Sequence, residues 1–479
     1  MGSLGPTSKS KVSPRDIDAI KQLLAGTSAT VVTPDDSGYH DTIKRWSMAA
    51  SKPAGVSILP TTADEVAKVV KYASENNLDL AVKGGGHSTA GASSTDGGLL
   101  FDLGKMRKVT FDKEREVLVI GGGANWGDVD EEAYKFGYAT VGGTVMDTGV
   151  GGLTLGGGYG WLSGQYGLVI DNLLEVELVL ASGEIIRASK TQNPDLFWAL
   201  SGAGQNFGVA TEFVLQAKKL ENTEVWAGML VYPPAPGILE KLVTAVNNLY
   251  MIDPETGKTK VNGKGGGGLG FARPPDAGGA TMILTPVIYF GTKDEAETVY
   301  KELIDIGPVA NTTTMVPYPT INNLLAPPYG LRASMKGAAF ELPIRPEFAQ
   351  KNFDEYTKFM DANPDAGISM LLWELFDPAK INELDHGCFA NRGLHFNGMI
   401  CPIWTDPKND QTCRLWAREM NEMWKKELEE HSSKEVGGGG EAPASVVGKK
   451  RATQFYGNYD HYDERSRDIL GRIMENYRA

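Results

Sequence analysis

The sequence predicts an α+β fold in two parts: a mixed first part, and a later antiparallel sheet covered by helices. Three observations carry this. First, the early chain reads strand–helix–strand. Ile58 and Leu59 end a strand, Pro60 to Asn76 places Val66, Val69, Val70 and Ala73 at helical spacing, and Asn77 to Val82 is extended. Second, glycine gathers in discrete clusters between positions 84 and 208. Third, the texture changes from about Glu221, where glycine thins and strand-like runs alternate with helices.

Taken in order, residues 1–12 carry no pattern. Ser13 caps a helix to Leu24, with Pro14 at its first position. Val109 to Phe111 and Glu116 to Ile120 read as a hairpin. Asn172 to Leu180 and Gly183 to Ala188 read as another, turned at Ala181-Ser182-Gly183. The later strands are expected at Trp226–Tyr232, Thr281–Phe290, Ala338–Leu342, Gly367–Phe376 and Phe396–Trp404. Helices are expected at Gly237–Ile252, Lys293–Ile306, Arg345–Asn363 and Asp410–Glu430. The expected division is a first domain over 1–220, completed by a returning tail at 450–479. A second domain spans 221–435, and a flexible connector over 436–449 contains Gly437 to Gly440.

Composition narrows the function classes. The chain has 479 residues and a formal net charge of −13, which argues against nucleic acid or an anionic membrane as partner. No apolar run reaches the roughly 18 residues of a membrane span. The first residues lack the apolar stretch of a secretion signal, so an intracellular location is expected. Cys388, Cys401 and Cys413 are too few and too late for a disulfide framework, and no His, Cys or carboxylate cluster has metal-ligand spacing, so no metal is expected.

The glycines carry the chemistry. Lys83-Gly84-Gly85-Gly86-His87-Ser88 follows the strand ending at Val82. Glycines there leave backbone N–H groups free to turn toward an anion, and the histidine sits beside whatever the loop holds. A second cluster runs Gly149-Val150-Gly151-Gly152 and Gly156-Gly157-Gly158-Tyr159-Gly160, and a third runs Gly202 to Val209 through Asn206, Phe207 and Gly208. Three such turns suggest one long phosphate-bearing ligand wrapped by backbone. Gly121 to Gly127 looks like a nicotinamide-dinucleotide loop, but the acid that loop needs about twenty residues on is missing. Among six histidines, His87 stands out by its glycine context, and His395 by its place beside an expected strand.

In order and spacing, these segments resemble the berberine-bridge-enzyme-like oxidases of the vanillyl-alcohol-oxidase-type FAD proteins. Gln165 to Asn172, Asp195 to Leu200, Gln205 to Val209 and Tyr456-Gly457-Asn458-Tyr459 follow in the family's order. The resemblance implies extended FAD with its pyrophosphate on the 84–88 loop, and a second domain that roofs the flavin ring and shapes the substrate pocket. Lys83, Gly84, Gly85, Gly86, His87, Ser88, Gly149, Gly151, Gly152, Gly156, Gly157, Tyr159, Gly160, Asn206, Gly208, Val209 and Asn458 are the cofactor-binding candidates. It also implies a covalent bond from His87 to the flavin 8α-methyl. The cysteine that forms a second link in many relatives is Val145 here, so the tether is expected through His87 only.

Phe389 to Asn397 resembles the family's Phe-x-His-Arg-x-x-x-Tyr-Asn segment, with Arg392 kept, Asn391 for the histidine and Phe396 for the tyrosine. Where relatives often place Gln or Glu beside the flavin, this chain has Met399, which takes no proton. His395, Asn397, Met399 and Cys401 are expected to share one face of a strand, with Asn397 and Met399 toward substrate. The base candidates are Tyr456, Tyr459 and His395, with Glu374 behind them. Tyr456 leads, on condition that a cation or hydrogen bond lowers its pKa. The resemblance thus implies an FAD-dependent oxidase that moves hydride from a small organic substrate, favoured as a natural-product intermediate, to the flavin and then to dioxygen, giving hydrogen peroxide and in some cases ring closure. A carbohydrate oxidase, a flavin-binding protein without oxidase activity, and a dehydrogenase using another acceptor remain as alternatives.

Overall fold

The computed structural model describes residues 9–325, 328–435, 456, 458 and 459. The expected connector at 436–449, and all of the expected returning tail except Tyr456, Asn458 and Tyr459, lie outside them.

The first helix, Pro14–Leu23, starts as its sequence requires: the Ser13 side chain and Asp16 form a reciprocal capping box, with Pro14 in the first turn. Ala63–Glu75 is capped the same way by Thr62 and Glu65. The Glu65 carboxylate also accepts from the backbone N–H of Ser28 and Ala29, fixing the turn before the first strand. Both helices cover a four-stranded sheet in the order Thr30–Val32, Val56–Leu59, Leu99–Asp102, Leu80–Lys83. The last three strands are parallel. Leu80–Lys83 lies at the edge, so the glycine loop after it leaves the sheet unobstructed.

Both predicted hairpins form within a five-stranded antiparallel sheet. Val209–Gln216 lies at its centre, between Val117–Gly121 and Leu173–Val179.

The third sheet has eight antiparallel strands. Gly265–Ala272, which sequence reading missed, lies inside it between Met282–Tyr289 and Met370–Phe376. Helices Ile238–Tyr250, Pro346–Ala362 and Asp410–Glu435 pack on one face. Alternation then dictates what the other face shows. In Met370–Phe376, Leu371, Trp373 and Leu375 enter the helix-covered core. Leu372 and Phe376 join clusters on the opposite side, which leaves Glu374 turned away from the helices. The expected helix at 293–306 is two short ones, Lys293–Val299 and Lys301–Asp305, meeting at Tyr300.

Among the described residues no helix is long and apolar enough to cross a membrane, and no group of three His, Cys, Asp or Glu could hold a metal ion. The three cysteines are free.

Candidate active site

Two of the three glycine clusters meet. A Cβ on Gly85 would lie 2.3 Å from Gly149 N and 2.8 Å from Asp147 O, so the first loop touches the second backbone to backbone. Gly122 joins them: its carbonyl lies 3.5 Å from a Cβ built on Gly151 and 3.6 Å from one on Gly84. The Gly121–Gly123 segment, dismissed above as a nucleotide loop of another kind, is therefore a third wall of the same cradle. Its signal was present, a glycine run at the end of the strand Val117–Gly121. Gly86 has φ +75°, which a side chain would strain, and its carbonyl accepts from Trp46 N–H at 3.1 Å. Beyond Gly152 nothing stands within 4 Å of a built Cβ.

Lys83 does not reach into this cradle. Its Nζ pairs with Asp102 at 2.8 Å and donates to Thr42 O at 3.3 Å, which ties the strand end to its own sheet. Ser88 serves the loop itself, its Oγ accepting from Ala92 N–H.

The remaining glycine candidates hold protein. A Cβ on Gly156 would lie 1.9 Å from Asn458 Oδ1, on Gly157 2.4 Å from the Phe389 ring, and on Gly160 1.8 Å from Gly142 O. Gly202 lies against the Phe389 backbone, and Gly208 against Val179 O. Asn206 is exposed, its amide bonding Ala203 O, and Val209 packs into the core under the four-stranded sheet. These residues seat the loop around Phe389, the Asn458 amide and neighbouring strands, where the sequence suggested a ligand. That loop is anchored by Arg392, which is buried and bonds Asp171 at 2.6 and 3.1 Å and the carbonyls of Ile381 and His386.

His87 stands at the mouth of the cradle, half-buried. Trp46 stacks on its ring at 5.4 Å with 15° between planes, and Tyr329 meets it edge-on at 6.4 Å. Nδ1 lies 3.4 Å from Thr148 Oγ1. Nε2 lies 3.1 Å from Asp147 Oδ1, close enough for an ion pair but not aligned for a hydrogen bond, so this buried nitrogen has no hydrogen-bond partner. Sequence reasoning singled out none of Trp46, Asp147 and Thr148 as partners of this histidine. Trp46 also belongs to an apolar cluster with Leu372, Met399, Cys401 and Ile403, and so joins the histidine to the eight-stranded sheet.

On that sheet the expected sharing of a face holds for Met399 and Cys401, while the strand begins at Phe396, one residue after His395. Met399 and Cys401 enter the cluster around Trp46, while Phe396 and Ile400 enter the helix-covered core. The polar end of the same face is a connected network. Tyr459 OH donates to Glu374 Oε1 at 2.6 Å. Asn458 Nδ2 donates to Tyr456 OH at 2.7 Å and Leu153 O at 3.0 Å. Asn391 Nδ2 donates to Asn397 Oδ1 at 3.2 Å, and its Oδ1 lies 2.7 Å from His395 Nε2. Tyr159 OH donates to Asn391 O at 2.9 Å. Tyr456 meets Tyr159 at 4.9 Å and Tyr459 at 5.1 Å, both edge to face. A Cβ at Gly337 would lie 2.9 Å from the Tyr459 ring, so this glycine makes room for it.

Burial sets the electrostatics. It raises the Glu374 carboxyl to about 7, with the Tyr459 hydrogen bond pulling the other way. It holds the His395 imidazole down to about 4, so that ring is neutral at pH 7. Burial raises Tyr456 far above an ordinary phenol, and nearby Glu374 adds to this, against the lowering by the Asn458 bond. The condition set for Tyr456 as base is thus outweighed. Tyr459 is raised by burial and by Glu374. Glu374 Oε2 is buried with no partner, and Glu374, His395, Asn397 and Tyr159 line one small cavity.

Comparison with known proteins adds likenesses of sequence and fold. Residues 54–189 match the family described as FAD binding domain. The FAD-linked oxidoreductase pgmH of Aspergillus terreus is 29% identical over 462 residues, covering 92% of this chain and 90% of that one. The (R)-6-hydroxynicotine oxidase of Paenarthrobacter nicotinovorans is 39% identical over 223 residues, covering 46% of this chain and 48% of that one. The solved structure of BBE-like 1 from Physcomitrella patens superposes with a TM-score of 0.73 at 19% identity, covering 94% of this chain and 92% of that one, and shows the shared fold.

Proposed function

Because this chain is an FAD-linked oxidoreductase of the vanillyl-alcohol-oxidase-type, berberine-bridge-enzyme-like fold, we propose that it is an oxidase in which Glu374, acting with Tyr459, takes a proton from the hydroxyl or amine of a small organic substrate. The cradle suits the cofactor: Gly84, Gly85, Gly122 and Gly151 present backbone without Cβ where three segments converge, and His87 carries a buried nitrogen with no hydrogen-bond partner. Bound FAD would supply the two-electron acceptor for substrate hydride and the route onward to dioxygen, giving hydrogen peroxide. We assign its covalent tether to His87 alone, since the sequence has no cysteine before Cys388.

The observation that carries the reading is the Glu374–Tyr459 pair. A carboxyl raised to about 7 is half ionised near neutral pH, where a general base works best. Its Oε1 holds Tyr459, while Oε2 is uncommitted beside the cavity. A proton reaches the carboxylate directly at Oε2, or through Tyr459 as its own proton passes to Oε1. His395, neutral, and Asn397 then orient the substrate's polar end, and Met399, Leu372 and Trp46 take its apolar body. An apolar wall of this kind favours an aromatic or alicyclic natural-product intermediate over a sugar. A peroxidase-coupled assay over a panel of alcohols and amines tests this. Peroxide release by wild type and its loss in Glu374→Gln support it. A wild type that turns over a substrate without peroxide is a dehydrogenase, and the oxidase reading then fails.

A further inference from the structure

We propose that Asn391 sets the tautomer of His395 so that Nδ1 is an open hydrogen-bond acceptor in the Glu374 cavity, and that the substrate carries a second O–H or N–H to meet it, beside the group that is oxidised. This rests on the oxidase reading above and names the substrate class of that same site.

Asn391 is buried, and its amide is oriented by the groups around it. Nδ2 donates to Tyr159 OH at 3.1 Å and to Asn397 Oδ1 at 3.2 Å. The one hydrogen of the Tyr159 hydroxyl is spent on Asn391 O at 2.9 Å, so toward the Asn391 side chain that hydroxyl accepts. The oxygen end of the amide is left facing His395 Nε2 at 2.7 Å. An amide oxygen only accepts, so the imidazole carries its hydrogen on Nε2. Burial keeps the ring neutral at pH 7, and a neutral ring has a single N–H. Nδ1 therefore holds a lone pair.

Gly393 leaves that lone pair uncovered. A Cβ on Gly393 would stand 2.8 Å from His395 Nδ1 and 3.3 Å from Cε1, and glycine has none. Gly393, His395 and Glu374 line the same cavity. Among the described residues no group donates to Nδ1, and Glu374 Oε2 has no partner either. No lysine or arginine lines the cavity, and its other polar side chains, Tyr159 and Asn397, are already bonded within the network. The cavity thus presents two acceptors. A substrate whose oxidised hydroxyl or amine meets Oε2 still has Nδ1 to satisfy. If it brings only an apolar or accepting group there, the nitrogen loses its water and gains no donor, the cost of an unmade buried hydrogen bond. The class that fits is a compound with two donor groups, such as an amino alcohol or a phenol with an oxidisable side chain.

The test starts from the alcohol or amine that wild type turns over in the panel, and from analogues in which each remaining O–H or N–H is capped by a methyl group. For one capped analogue, wild-type kcat/KM should fall by roughly ten-fold or more. In His395→Leu that analogue and its parent should perform alike, because the acceptor is gone. His395→Gln, which keeps an accepting oxygen, should restore part of the preference. Wild-type efficiency with every capped analogue would overturn the proposal, as would a good substrate with no second O–H or N–H. Nitrogen nuclear magnetic resonance of wild type carrying isotope-labelled histidine reads the tautomer without substrate, with His395→Gln identifying the signal. The hydrogen should lie on Nε2 at pH 7 and shift toward Nδ1 in Asn391→Leu, a change that a merely structural role for Asn391 would not produce. A hydrogen on Nδ1 in wild type would overturn the proposal however the variants fold. A panel with no turnover at all would instead refute the oxidase reading, and the substrate class with it.

Discussion

Replacing Glu374 by Gln should stabilise the protein while abolishing turnover. The side chain is buried, one oxygen has no partner, and burial lifts its pKa from 4.5 to about 7. At about 1.4 kcal/mol per pH unit, the buried charge costs about 3 kcal/mol once it is fully ionised. Between pH 4.5 and about 7 the folded chain keeps a proton that the unfolded chain has lost. Stability therefore falls as pH rises through this window, and the whole penalty is present above it. Gln carries no charge and still accepts from Tyr459. Glu374→Gln should match wild type near pH 5 and exceed it by up to about 3 kcal/mol at pH 8. For a chain of 479 residues, with an unfolding entropy of about 1 kcal/mol per kelvin, that is a melting temperature roughly 3 °C higher. Over the same range the wild-type kcat/KM should fall as pH drops below about 7, where the base is protonated. The variant should lose on the order of 100-fold or more. Thermal unfolding at pH 5 and 8, with peroxide-coupled kinetics, reads both effects. A variant with unchanged stability at pH 8 and near-normal turnover would refute the reasoning on both counts.

Two further substitutions probe the frame. Gly85→Ala should purify with little flavin, since its Cβ would stand 2.3 Å from Gly149 N and push the two loops apart; flavin absorbance per protein measures it. Arg392→Met should leave the buried Asp171 carboxylate without its cation, with only the Leu168 N–H still donating to it, costing about 3–5 kcal/mol and lowering the melting temperature accordingly.

The glycine loops and both early hairpins were legible because they are local: turn residues and strand periodicity lie within a few positions of one another. Gly265–Ala272 was not. Its four leading glycines show no alternation, and its place in the sheet is set by neighbours such as Leu372, whose Cδ1 would stand 2.6 Å from a Cβ at Gly268. The order of the base candidates shifts for a related reason. In the sequence Tyr456 leads and Glu374 stands behind it. What separates them is burial and a bond from Tyr459 to a residue 85 positions away, which no spacing rule reports. Gly156 and Gly157 matched a cofactor motif, yet they seat Asn458 and Phe389. A missing side chain admits a protein neighbour as readily as a phosphate.

The central claim, an FAD enzyme tethered through His87, meets its most direct test in one spectrum. Purified wild-type protein should show flavin absorbance, and acid should leave the colour in the pellet, whereas His87→Ala should release it to the supernatant. A colourless wild-type protein, incubated with FAD and still without flavin absorbance, would contradict the account.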